Sequence, residues 1–161
     1  MNWHNEGRKT MKKILFICHG NICRSTMAEF VMKYLVEQKG LAGEFCIDSA
    51  ATSTEEIGNR VHYGTRQKLA QVGIPCGDHR ARQVTWQDYE EFDYLIGMDN
   101  ANLRNMLHAN QTLLPCMMHS SLLKNTLRKE STTKTPKERK LISINNQLTQ
   151  KIHKGIWVLQ K

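Results

Sequence analysis

Cys18 and Arg24 share one short segment, Cys18-His19-Gly20-Asn21-Ile22-Cys23-Arg24-Ser25, between an apolar run and a helical pattern. A loop so placed turns backbone N–H groups inward and adds the positive end of a helix, so it cradles an anion. Arg24 can fork onto two phosphate oxygens. The same field favours the thiolate of Cys18. A thiolate facing a bound phosphate can attack phosphorus in line and form a phosphocysteine. Gly20 admits close approach of the backbone. Asn21 tolerates an unusual backbone angle and can brace the loop through its side chain. The Ser25 hydroxyl can donate to the thiolate when it leaves. Residues 19–24 would line the phosphate: His19, Gly20, Asn21, Ile22, Cys23 and Arg24. A buried Cys and a surface Arg would explain Cys18 and Arg24 separately, but not the Gly-Asn and the trailing Ser between strand and helix.

The elements needed to hold such a loop are legible. Lys13–Ile17 is a continuous apolar run and suits a buried parallel strand. Met27, Ala28, Val31 and Leu35 recur at helical spacing up to about Gln38. Ser25 or Thr26 is the expected cap, and Thr26-x-x-Glu29 fits a capping box. Glu44–Asp48 reads as a second strand, Val61–Val72 as a helix, and Thr85–Phe92 as a short helix capped by Thr85. Asp93–Met98 reads as a third strand and Asn100–Leu107 as another short helix. This alternation predicts an α/β fold, a three-layer α/β/α sandwich with a short parallel sheet of flavodoxin type. The site would sit at the carboxyl end of the first strand.

The chain has 161 residues, enough for one domain, and no apolar stretch long enough to span a membrane. The start Met11–Cys18 mimics a signal peptide, but its apolar run is too short. Met11 is a plausible natural start, which makes 1–10 a polar extension. Five cysteines are too few for a disulfide scaffold and odd in number, so a reduced, cytoplasmic setting is expected. The net charge of +8 divides unevenly. Residues 1–100 hold 12 Lys+Arg against 13 Asp+Glu, and residues 101–161 hold 11 against 2. A domain-sized unit over 11–108, holding the loop 18–25, is therefore followed by a basic, divergent segment over 109–161. In that segment no clear strand emerges, and Leu141, Ile144, Leu148 and Ile152 fit a weak amphipathic helix.

The loop CHGNICRS resembles the signature of the low-molecular-weight protein tyrosine phosphatases, and the resemblance runs from Lys13 to about Leu107. Asp48-Ser49-Ala50-Ala51-Thr52-Ser53, Glu56-Ile57-Gly58, His79-Arg80-Ala81-Arg82-Gln83-Val84, Phe92-Asp93-Tyr94 and Met98-Asp99 are similar to further family segments. The resemblance implies a phosphotyrosine phosphatase I-like fold and hydrolysis of phosphotyrosine or small aryl phosphates. Catalysis would rest on Cys18, Arg24 and Ser25. It implies that Asn21, Ser49 and His79 form a network bracing the loop, and that Cys23 can trap Cys18 in a reversible disulfide. A low-pKa thiolate beside a second thiol supports that chemistry. No metal or cofactor is implied. Inorganic phosphate and vanadate would inhibit, and a monomer or weak dimer is expected. Ile22 fits the tyrosine-directed branch better than the arginine-directed one, which carries threonine there. Glu55 makes the rim more acidic than is usual.

Two positions depart from the family. Thr26 replaces a proline, with little expected effect. The family's general acid is an aspartate in an Asp-Pro-Tyr-like loop near the C-terminus. Here no Asp follows Asp99, and no Asp-Pro occurs. The last stretch also reads without the family's fourth strand and closing helix pattern, either as a divergent end or as a changed reading frame, which would leave a sheet edge uncovered. General acid catalysis is worth about 10²–10⁴-fold, so activity on phosphotyrosine would be impaired. Asp99 is the one rescue candidate.

Other readings stand beside this one. A catalytically weak phosphate-loop protein that binds phosphorylated partners would explain the missing aspartate. A thiol-based arsenate reductase would need two more poised cysteines, and Cys76 and Cys116 are isolated. A nucleic-acid-binding tail over Lys124–Lys154 has charge, but no aromatic is interleaved before Trp157.

Overall fold

The structure, a computed structural model, describes residues 11–117 and 140–143. Strand β1, Lys12–Cys18, is central. β2, Phe45–Ala51, pairs with one side of it, and β3, Tyr94–Gly97, with the other. β4, Lys140–Ser143, lies outside β3. All pairings are parallel and the order is β2-β1-β3-β4. Parallel strands need helical crossovers, so both faces of the sheet are covered.

The covering is visible in the alternation of β1. Ile14, Phe16 and Cys18 pack with Ala28 and Val36 of helix α1, Arg24–Gln38. Leu15 and Ile17 face the opposite way, onto Tyr89 of α3, Trp86–Glu91, and Met106 of α4, Asn100–Met117. Helix α2, Tyr63–Gln71, packs on the outer side of α1 through Leu69, Met27 and Phe30. Successive side chains of a strand point to opposite faces, so one apolar run feeds two cores. The expected three-layer sandwich is found.

Three sequence expectations change. A fourth strand exists: Leu141 and Ile142 pair with Leu95 and Ile96. Lys140–Ser143 is therefore strand, not the start of a helix, and the outer edge of β3 is covered; the rest of that proposed helix lies outside the described residues. Helix α4 runs on to Met117, well past Leu107. Finally, neither Ser25 nor Thr26 caps α1. The cap residue is Cys23, without a side-chain cap bond. Thr26 Oγ1 donates back to the Cys23 carbonyl at 2.9 Å, and Glu29 turns inward, so no capping box forms. A side-chain cap would consume the N–H groups that an anion needs. The box expected at Thr85 does form, reciprocated by Asp88.

Candidate active site

The loop 18–25 leaves the carboxyl end of β1 and enters α1, where the sheet order reverses between β1 and β3. Ligands bind at such switch points in open α/β sheets. Cys18 is 3% exposed, so its sulfur lies inside the loop. Its Sγ is 3.0 Å from Ser25 Oγ and accepts from Asn21 N at 3.3 Å. Asn21 N donates to the sulfur and the Ser25 hydroxyl lies within hydrogen-bond reach of it, an arrangement suited to steadying sulfur as a leaving group.

Asn21 has φ of 55°, in the left-handed region, and is fully buried. Strain of this kind persists only where surroundings over-determine it. They do so here. Its Nδ2 donates to Ser25 Oγ at 3.0 Å and Ser49 Oγ at 2.8 Å. Its Oδ1 accepts from Arg82 N and lies 3.1 Å from His79 Nε2. The structure thus brings Asn21, Ser49 and His79 together.

One member was missed in the sequence. Glu29, 2% exposed on α1, accepts from Ser49 Oγ at 2.6 Å and from Lys33 Nζ, and lies 3.5 Å from His79 Nδ1. A buried carboxylate demands such partners. The signal was available: Glu29 falls among Met27, Ala28 and Phe30 on the buried face, four residues after Ser25.

At the other end of the loop, Arg24 Nη1 donates to Asp99 Oδ2 at 2.5 Å. Asp99 also caps α4 by accepting from Asn102 N at 2.7 Å. Burial raises the Asp99 carboxyl, but the Arg24 bond and charge and the Asn102 and Ala101 amides outweigh it. The net effect holds it below its ordinary value.

The rim is built from two neighbouring segments. Thr52 N and Ser53 N donate to the carbonyls of Cys18 and His19. On this rim His19 Nε2 meets Glu55 Oε2 at 3.1 Å, both exposed. A Cβ on Gly20 would come 3.0 Å from Glu56 Cγ, so a larger residue there would have to push the Glu56 side chain aside. His62 N donates to the Ile22 carbonyl at 2.7 Å, docking the start of α2 on the loop. Cys23 is an exposed free thiol that accepts from Thr65 Oγ1 at 3.3 Å. Among the described residues, no three His, Cys, Asp or Glu side chains converge as a metal site, and no helix is long and apolar enough to cross a membrane.

The family model of the low molecular weight phosphotyrosine protein phosphatases matches residues 13–155. The chain belongs to this family. Its members are cysteine-dependent protein-tyrosine phosphatases. The chicken (Gallus gallus) low molecular weight phosphotyrosine protein phosphatase is 42% identical over 113 residues, 70% of this chain and 71% of its own. The crystal structure of YfkJ from Bacillus subtilis superposes with a TM-score of 0.65 at 33% identity, covering 96% of this chain and 95% of that one. A Drosophila arginine phosphatase structure superposes with a TM-score of 0.59 at 37% identity, covering 64% of each chain. The family match extends beyond β4, in keeping with a fourth strand.

Proposed function

We propose that this protein hydrolyses phosphotyrosine and small aryl phosphates through a phosphocysteine on Cys18. The observation that carries this reading is the buried Cys18 sulfur facing Ser25 Oγ at 3.0 Å, on a loop that ends in Arg24 and a helix N-terminus. Loop N–H groups and Arg24 bind the phosphoryl oxygens. The Cys18 thiolate forms the S–P bond as the P–O bond to the aryl group breaks. Water then attacks phosphorus, the S–P bond breaks, and Ser25 Oγ–H donates to the departing sulfur while inorganic phosphate leaves. Asn21, Ser49 and His79 hold the loop; Glu29 holds Ser49 and His79.

Asp99 serves Arg24 in this reading rather than acting as an acid. A carboxylate held below its ordinary pKa carries no proton at neutral pH to give the leaving oxygen. Only Arg24 Nη1 is engaged by Asp99, which leaves Nε and Nη2 as a fork for phosphate. The substrate class is tyrosine-directed on the strength of Ile22. Phosphoarginine, the class suggested by one structural relative, is the control. The setting is taken as cytoplasmic, with no cofactor.

Hydrolysis of nitrophenyl phosphate, a phosphotyrosine peptide and phosphoarginine by the parent, Cys18→Ser and Arg24→Ala tests the reading. Cys18→Ser should abolish turnover and still bind phosphate. Arg24→Ala should lose both. Turnover by Cys18→Ser above a few per cent of the parent would show that another group attacks.

A further inference from the structure

We propose that Asn102, on the first turn of α4, is a positioning residue that ties both ends of the phosphate loop to that helix. The inference rests on the reading of 18–25 as a phosphate loop. Asn102 is 2% exposed, and a buried primary amide needs partners for both its oxygen and its nitrogen. Its neighbours are the Asp99 carboxylate, which only accepts, and the His19 backbone N–H, which only donates. One amide orientation satisfies both. In it, Nδ2 donates to Asp99 Oδ2 and Oδ1 at 3.2 and 3.1 Å, and Oδ1 accepts from His19 N at 3.2 Å.

The bonds form a closed path. From His19, next to Cys18, the path runs through the Asn102 amide to Asp99 and from Asp99 to Arg24 Nη1. It therefore returns to the loop five residues further on. The anchor is firm. Asn102 N and Leu103 N also donate to Asp99, and a Cβ on Gly97 would lie 3.3 Å from Leu103 N, so the first turn of α4 sits hard against the end of β3. The backbone amides of Asn102 and Ala101 already hold the Asp99 carboxylate, and the Asn102 side chain adds a bond to each of its oxygens. With Asn102 across both oxygens, the carboxylate plane is set, and so is the direction in which the guanidinium fork faces. The His19 N–H is taken up by Asn102, which leaves the later loop amides to meet a phosphate.

The test is a double-mutant cycle on the full chain, read by the inhibition constant of inorganic phosphate and by KM and kcat for nitrophenyl phosphate. Asn102→Leu should raise the phosphate inhibition constant and KM together by about tenfold, with a smaller change in kcat, because bonds to a charged partner are lost. In an Asp99→Asn background the same change should cost about threefold or less, because the two act through one path. Equal effects in both backgrounds, or none in either, would overturn the proposal. Should Asn102→Leu not fold by circular dichroism, Asn102→Asp replaces it. It keeps the volume and the acceptor for His19 N–H and sets a second carboxylate against Asp99, so phosphate binding should again weaken; unchanged binding overturns the proposal. A parent that binds no phosphate removes the phosphate-loop reading and this inference with it. A parent that binds phosphate beside unaffected variants removes this inference alone.

Discussion

His79 Nε2 lies 3.1 Å from Asn21 Oδ1, although 58 residues separate them in sequence. His79 also faces Glu29 through its other ring nitrogen, at 3.5 Å. The ring therefore bridges the strained residue of the phosphate loop and a buried carboxylate of the helix behind it. His79→Ala should leave the buried Asn21 Oδ1 short of one donor, and loss of such a partner costs about 1–3 kcal/mol. Activity on nitrophenyl phosphate should fall by about tenfold or more, with a lowered melting temperature. Full activity in a stable His79→Ala protein would show that the loop holds its shape without this bridge.

The leaving group should matter steeply. No Asp follows Asp99 in the chain, and Asp99 is committed to Arg24. A series of aryl phosphates should show rates falling as the phenol pKa rises from nitrophenol towards tyrosine, near 10. The deficit for tyrosine should be about 10²–10⁴-fold. A flat series would reveal an acid in the segments beyond the described residues.

Mild peroxide should inactivate the protein reversibly. Peroxide transfers oxygen to the Cys18 thiolate, giving a sulfenic acid and water from the second peroxide oxygen. Cys23 then attacks the sulfur and a second water leaves as the disulfide forms. Cys23 must first leave its bond with Thr65 Oγ1. Bound phosphate should protect, and a dithiol should restore activity. Peptide mass spectrometry that finds sulfinic acid on Cys18 with Cys23 unmodified would rule the route out.

Arg82 binds Asp48 Oδ2 and both oxygens of Asp88, joining β2 to α3. Burial raises the Asp88 carboxyl, but Arg82 and Thr85 outweigh it, and the net pKa is lowered from 3.8. A carboxylate depressed in the fold adds stability above its unfolded pKa and loses it as pH falls through the folded value. Melting temperature should therefore hold above pH 4 and drop below it, more shallowly in Arg82→Met. Arg82→Met should cost about 1–3 kcal/mol at neutral pH, less than for a fully buried pair because the cluster is part exposed. Urea titrations at several pH values would show the two curves converging in acid.

The chemistry of this protein is written locally. Cys18, Gly20, Asn21, Arg24 and Ser25 lie within eight residues, so the loop, its strand and its helix could be read from spacing alone. The three-layer architecture followed from apolar runs that alternate with helical patterns, because each run is long enough to register its period. What spacing does not carry is the meeting of distant residues. Glu29 was read as half of a capping box until Ser49 and His79 were found beside it, and Asp99 read as a possible acid until Arg24 and Asn102 claimed its oxygens. A carboxylate's role depends on which donors surround it, and those come from separate elements. β4 escaped for a different reason. Four residues between Lys140 and Ser143 are too few to show a period, and Leu141 also fits a helical spacing with Ile144, Leu148 and Ile152. Only the unpaired edge of β3, a tertiary feature, selects the strand, since it supplies the hydrogen-bond partners that the extended segment needs.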